Sequence, residues 1–176
     1  MLKTKEDLNR YLKEDRSKRF SGGGIREYLA QRPLWQFNQY LRKTEYHINN
    51  RGIYHQLFGL WYKMRLKSIS MKLGWLVPPN TCGEGLCIVH PGTVVINDKV
   101  RIGRNARIHV CVNIGATKDG APVIGDGVYI GPGAKIYGPI ILGDNVMIGA
   151  NAVVNKSFGS DQLLVGIPAS AKEIGQ

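Results

Sequence analysis

The run Ile124-Gly-Asp-Gly-Val-Tyr-Ile130-Gly-Pro-Gly-Ala-Lys-Ile136 holds two turns of one six-residue pattern. Extended backward, the aliphatic residue recurs at Ile114, Ile108, Ile102 and Ile96 after a slip of four residues. Extended forward, it recurs at Leu142, Ile148 and Val154. Gly follows it at 103, 115, 125, 131, 143 and 149, and four places after it stands a small or β-branched residue: Val100, Ala106, Val112, Val128, Ala134, Ile140, Val146 or Ala152. A period of six matches neither the 3.6 of a helix nor the 2 of an isolated strand. It suits a prism in which each hexapeptide is one short strand plus a corner, three to a coil. The aliphatic residue then points inward from every face, and Gly tolerates the bend.

Outside the repeat the pattern is helical. Residues 4–20 read as a charged amphipathic helix that Thr4 caps, with Asp7 three positions on. Ser21-Gly-Gly-Gly24 reads as a flexible break. A short helix over Ile25–Ala30 is expected to stop before Arg32-Pro33, and a new one to begin at Leu34. There Leu34, Phe37 and Leu41 share a face. Asn49-Asn-Arg-Gly52 ends that helix. A further one, from Ile53 to about Lys72, repeats the pattern with Leu57, Leu60, Trp61, Met64 and Ile69. The dense aromatic residues here, together with His47 and His55, read as packing or surface groups. The expected division is a helical region over 1–73 and a repeat domain over 74–176.

The chain has 176 residues and a formal net charge of +11. Residues 1–75 hold 16 Lys/Arg against 6 Asp/Glu, and residues 76–176 hold 8 against 7, so the excess sits in the helices. Basic helices suit nucleic acid, an anionic membrane surface or an acidic substrate, and equally suit plain solvated helix faces; no nucleic-acid motif is present, and peripheral membrane contact is kept as one expectation. Met1 to Arg26 does not read as a signal peptide, and no window approaches the ~18 apolar residues of a membrane span. Cytoplasmic placement is expected. Three cysteines at irregular spacing, Cys82, Cys87 and Cys111, outline neither a disulfide framework nor a metal site.

These residues resemble the hexapeptide-repeat acyltransferases. The runs Gly85-Leu-Cys-Ile-Val-His90, Ile108-His-Val-Cys-Val-Asn-Ile-Gly115, Ile130-Gly-Pro-Gly-Ala-Lys135 and Val165-Gly-Ile-Pro-Ala169 resemble the serine acetyltransferase branch and, more closely, its relatives among surface-polysaccharide O-acetyltransferases. The resemblance implies a mainly β fold, a left-handed parallel β-helix with an N-terminal α-helical region. It also implies a homotrimer and acetyl-CoA as co-substrate, without a metal.

Acetyl transfer from a thioester to a hydroxyl needs a base for the hydroxyl proton, a donor for the oxyanion and a groove for the pantetheine arm. Imidazole, titrating near ~6.5, suits the base. His90 falls on the inward row when counted back in sixes from Ile96, which suits a buried structural group. The resemblance instead puts it where the family carries its catalytic base. His109, after an inward Ile at a corner, is the second candidate, to hold the acceptor or polarise the carbonyl. By the same resemblance, coenzyme A would lie along the corners at Gly115, Ala116, Ala134 and Ala152; on charge alone, Lys156 or Lys172 is the candidate to meet its phosphates. Cys111 occupies a slot read as favouring small residues, so no acyl-enzyme is expected.

Two departures bear on the acceptor. Val89 and Trp75 stand where the serine enzymes carry carboxylates, and the loop 117–121 lacks their substrate-holding His and Arg. A zwitterion needs partners for both charges, whereas a sugar needs hydroxyl partners and an aromatic wall, for which Trp75 is available. The expected function is therefore O-acetylation of a sugar hydroxyl in surface-polysaccharide synthesis. Serine O-acetylation and a non-catalytic trimeric scaffold are the alternatives.

Overall fold

The computed structural model describes residues 2–20 and 25–172, apart from the Glu27 side chain. Ser21-Gly-Gly-Gly24 lies outside the described residues. Helix α1 spans Lys5–Arg19, and Thr4 caps it reciprocally: the Asp7 amide donates to Thr4 Oγ1 at 3.0 Å, and the Thr4 amide to Asp7 Oδ2 at 3.1 Å.

Helix α2 runs unbroken over Ile25–Ile48 with Pro33 inside it, so the expected stop at Pro33 and restart at Leu34 do not occur. Pro33 is exposed and forfeits one hydrogen bond, while Leu34, Phe37 and Leu41 are buried just beyond it. Tertiary burial outweighs that local penalty.

Helix α3, Ile53–Leu73, ends on Gly74, which is left-handed at φ 77° and returns its amide to Ser70 O at 2.9 Å. Leu66 and Leu73 are buried, but Leu57, Leu60, Trp61 and Met64 are exposed, so the face expected to pack finds no cover among the described residues. His47 is buried, with its ring stacked 5.8 Å from Phe58 and 5.4 Å from Tyr62, and its Nδ1 lies 3.1 Å from His55 Nδ1.

Strands begin directly after Gly74. They are β1 (Trp75–Leu76), β2 (Cys87–Ile88), β3 (Val94–Ile96), β4 (Arg101–Ile102), β5 (Arg107–Ile108), β6 (Val112–Gly115) and β7 (Val123–Ile124). Then come β8 (Tyr129–Ile130), β9 (Lys135–Tyr137), β10 (Ile141–Leu142), β11 (Met147–Ile148), β12 (Val153–Val154), β13 (Leu163–Gly166) and β14 (Ala169–Lys172). They form three faces: β1-β3-β6-β9-β12, β4-β7-β10, and β2-β5-β8-β11-β13-β14. Every pairing is parallel except β13 with β14.

The inward aliphatic residues stack in register as three ladders. Ile96, Ile114, Ile136 and Val154 form the first, Ile102, Ile124 and Leu142 the second, and Ile88, Ile108, Ile130, Ile148 and Leu164 the third; all are buried. Burying each contributes ~1.5–3 kcal/mol, which holds together strands too short to be stable alone. One corner column, Gly85, Asn105, Gly127, Asn145 and Asp161, is left-handed throughout, where Gly, Asn and Asp are the least strained residues.

The helices share this core, since Leu34, Phe37, Leu41, Leu66 and Leu73 pack into it. Trp75 is 2% exposed with its ring 4.9 Å from that of Phe37, so it forms part of the core and offers no wall to a sugar. Helix α1 docks through polar groups, its buried residues being Asp15 and Arg19. The Asp15 carboxylate accepts from Arg42, Asn38 and the amides of Gly85 and Leu86.

Candidate active site

The corner between the third and first faces is built three times by the regular repeat, at 109–112, 131–134 and 149–152, and differently at 89–93. Ile88 pairs with Ile108 and Ile96 with Ile114, so eight steps separate Ile88 from Ile96 where the repeat has six. The two extra residues fall at the His90 corner. Ile88 takes the inward place and His90 stands exposed, which overturns the count that put its imidazole inside. Among the described residues no hydrogen bond holds the His90 ring.

His109 occupies the next level of the same corner. Its ring lies 6.4 Å from that of His90 and 5.1 Å from that of Tyr129. Its Nε2 is buried without a partner. Burial first, then the charges of Arg107 and His90, hold its pKa below the ordinary histidine value, so the ring is neutral at pH 7. A neutral imidazole can donate one N–H to a polarised oxygen without carrying charge itself.

His90 opens into a cleft of about 560 Å³ whose wall includes Lys18 and Arg19 of α1, Leu34 of α2, Cys87, Val89 and Arg107. No acidic residue is among the described residues that line it. The three cations were missed in the sequence because the third, Arg107 of β5, stands 88 residues beyond the Lys18-Arg19 pair of α1. The i, i+4 pair Asp15–Arg19, facing a second polar stripe at Asn38, Arg42 and Glu45, was the available signal.

The remaining sequence candidates divide between two corners. Ala134 and Ala152 belong to the His90 corner, but both are fully buried and their amides are spent on Gly131 O and Gly149 O, each at 3.3 Å. Gly115, Ala116 and Lys156 lie at the opposite edge of the first face, about 10 Å away along a four-residue strand. There Gly115 and Ala116 are half-buried, Lys156 is exposed with its Nζ 5.5 Å from the Phe158 ring, and Asn155 Nδ2 donates to Tyr137 Oη at 3.4 Å. The slip in the repeat is a tight turn beside them, closed by the Thr117 amide on Gly120 O at 2.8 Å.

Lys172, in β14, is exposed, and no shared contact with this group brings it in. Cys111 is exposed on a left-handed corner at φ 61°, not in the small buried slot, which Val112 fills. Among the described residues, no group of three or more His, Cys, Asp or Glu could hold a metal ion, and no helix is long and apolar enough to cross a membrane.

Comparison with known proteins places this geometry. The family model "Bacterial transferase hexapeptide (six repeats)" matches residues 121–156. A serine acetyltransferase of Staphylococcus xylosus is 32% identical over 177 residues, covering 96% of this chain and 76% of its own length. Further curated serine acetyltransferases match over 95–103 residues, so the chain spans only 44–45% of their length. Among solved structures, the soybean serine acetyltransferase apoenzyme shares 26% identity with a TM-score of 0.76, covering 94% of this chain and 69% of that one. A serine acetyltransferase solved with CoA has a TM-score of 0.74 at 24% identity, covering 96% of this chain and 71% of that one, a likeness of fold alone. Those structures are left-handed β-helices, and this coil has the same fold. On the match to the S. xylosus protein, which spans 96% of this chain, and the hexapeptide repeat that carries it, this chain belongs to the serine acetyltransferase family of hexapeptide-repeat acyltransferases.

Proposed function

We propose that this protein transfers acetyl from acetyl-CoA to the hydroxyl of a small acceptor by direct displacement, with His90 as general base. L-Serine is the acceptor that the names of its relatives support. The polysaccharide reading that ranked first in the sequence has no such support. It also loses its aromatic wall, because Trp75 is buried. The observation that carries the proposal is the exposure of His90 on its two-residue bulge, facing a cleft that a small acceptor fits.

In the reaction the imidazole takes the hydroxyl proton as the oxygen attacks the thioester carbonyl. The tetrahedral adduct then collapses, releasing coenzyme A, whose sulfur receives the proton from the imidazolium. His109, neutral and with an unpartnered buried Nε2, suits the developing oxyanion. Gly115, Ala116 and Lys156 are the corner residues proposed for coenzyme A. Since they and His90 lie on opposite edges of one face, the working site pairs the His90 corner of one subunit with the Gly115 corner of another in a homotrimer. Ala134 and Ala152 contribute by being small and buried beneath the His90 corner.

His90→Ala tests the base. Thiol release with L-serine should fall ~10²–10⁴-fold with coenzyme A binding and thermal stability unchanged. Turnover persisting in a folded variant would remove His90 from the mechanism.

A further inference from the structure

Arg19 is 5% exposed, yet among the described residues no carboxylate ion-pairs with it. Its Nη2 donates to Asn38 Oδ1 and to Ile88 O, each at 3.2 Å, and its Nε is buried without any partner. The nearest acid in sequence, Asp15, is committed to Arg42, Asn38 and two backbone amides. A guanidinium held this way is costly, and burial pulls its pKa below the usual arginine range. The same side chain lines the cleft that His90 faces, and Lys18 and Arg107 line it too. Three cations line one recess, Arg19 held in place and Lys18 and Arg107 exposed, with no described acid on its wall, and together they focus a positive field on whatever enters.

We propose that this cleft is an oxyanion subsite: the acceptor is held by a carboxylate or phosphate on Arg19, Lys18 and Arg107 while its hydroxyl meets His90. This rests on the acetyl-transfer reading above and names the acceptor class within it. Arginine forks match a planar carboxylate or a phosphate edge through paired N–H groups, which orients the acceptor as well as binding it. An ammonium group finds no counter-charge here, because Val89 precedes His90 and the described lining carries no acid. Recognition therefore runs through the anion, and a hydroxy acid or a phosphorylated alcohol serves as well as an amino acid.

The test measures thiol release from acetyl-CoA with four acceptors. They are L-serine, 3-hydroxypropionate (ammonium removed), L-serinamide (carboxylate neutralised) and glycerol 3-phosphate (phosphate in its place). In the wild type, 3-hydroxypropionate or glycerol 3-phosphate should match or exceed L-serine in kcat/KM, and L-serinamide should fall at least ~10-fold below it, about 1.4 kcal/mol. The better of the two anions identifies carboxylate or phosphate. Combined K18Q and R107Q should raise KM for L-serine at least ~10-fold and bring the serine-to-serinamide ratio toward one. Equal use of L-serine and L-serinamide, or a ratio indifferent to the two substitutions, overturns the subsite.

Propionate, which has no hydroxyl, gives a readout free of turnover. Its titration should move the His90 imidazole NMR signals saturably in the wild type and not in the double variant. No saturable shift in the folded wild type also overturns the subsite, whatever the assays give. If His90→Ala keeps turnover while wild-type propionate binding follows this pattern, the base assignment fails and the subsite stands.

Discussion

Arg42 grips Asp15 through two hydrogen bonds, Nε to Oδ2 at 2.9 Å and Nη2 to Oδ1 at 3.2 Å, and neither side chain has any exposure. Arg42 also donates to Glu45 Oε2 and Cys82 O, each at 2.9 Å, so one guanidinium ties α1, α2 and the first coil together. Removing it strands two buried carboxylates. Arg42→Ala should lower the unfolding free energy by ~3–5 kcal/mol, measured by denaturant titration; a change under ~1 kcal/mol would mean that the network is not what docks α1.

Gly131 makes a similar demand on the backbone. A Cβ there would lie 2.7 Å from Ile148 O and 2.9 Å from the Ala150 amide nitrogen, and neither belongs to a movable side chain. Gly131→Ala should cost ~1–3 kcal/mol, read from the same titration. A neutral outcome would show that adjacent coils can separate freely.

Protonation should weaken the fold on the acid side. His109 is held below its ordinary value of 6.5 mainly by burial, and His47 likewise by burial and by His55. Each unfolded ring binds a proton more readily than the folded one. Their stabilising contribution is therefore complete above pH ~6.5 and shrinks as pH falls toward the folded values. Thermal melts from pH 8 to 5 should show this decline, with a shallower slope in His109→Gln and in His47→Gln. Unchanged slopes in both variants would assign the acid sensitivity elsewhere.

His109→Ala should lower kcat more than it raises the acceptor KM, as expected for a donor to the oxyanion, and by less than His90→Ala lowers turnover. Its ring is packed beside Tyr129, while His90 meets the cleft directly. Steady-state kinetics against acceptor concentration decide it. A loss in kcat as large as that of His90→Ala would make the two imidazoles partners in proton transfer.

The exposed Leu57, Leu60, Trp61 and Met64 and the divided site both call for further copies of the chain. Sedimentation at micromolar concentration should give about three times the 19.5 kDa chain mass. A stable monomer with full activity would place the coenzyme A groove within one subunit.

The ladders were legible because a period of six maps straight onto three inward columns, and every aliphatic residue from Ile96 to Val154 in that series is buried. The Thr4–Asp7 cap was legible for the same reason, since both partners are local. Pro33 misled because its local rule yielded to burial of residues up to eight positions further on. The His90 bulge left no mark, because Cys87-Ile-Val and Val94-Val-Ile each suit an inward residue at more than one register. Asp15, Arg19 and Arg42 were hidden more deeply: a charged helix reads as solvated until the surface it lies on is known. That surface is also what supplies the acceptor cleft with its cations.

The antiparallel return of β14 on β13 bears on what the solenoid can do to itself. A stack of parallel coils presents at its last level a row of unpaired amides and carbonyls, open to the first coil of another molecule. Repeated head to tail, that contact would grow a fibre. Reversing the chain direction spends part of that row on a strand of the wrong polarity to template a further coil. At the far end, the first coil lies under α1 and α2, with Cys82 O, Leu86 O and Ile88 O accepting from Arg42, Asn38 and Arg19. Growth along the axis is thus resisted at both ends, and the sides of the prism are left as the surfaces through which copies can associate.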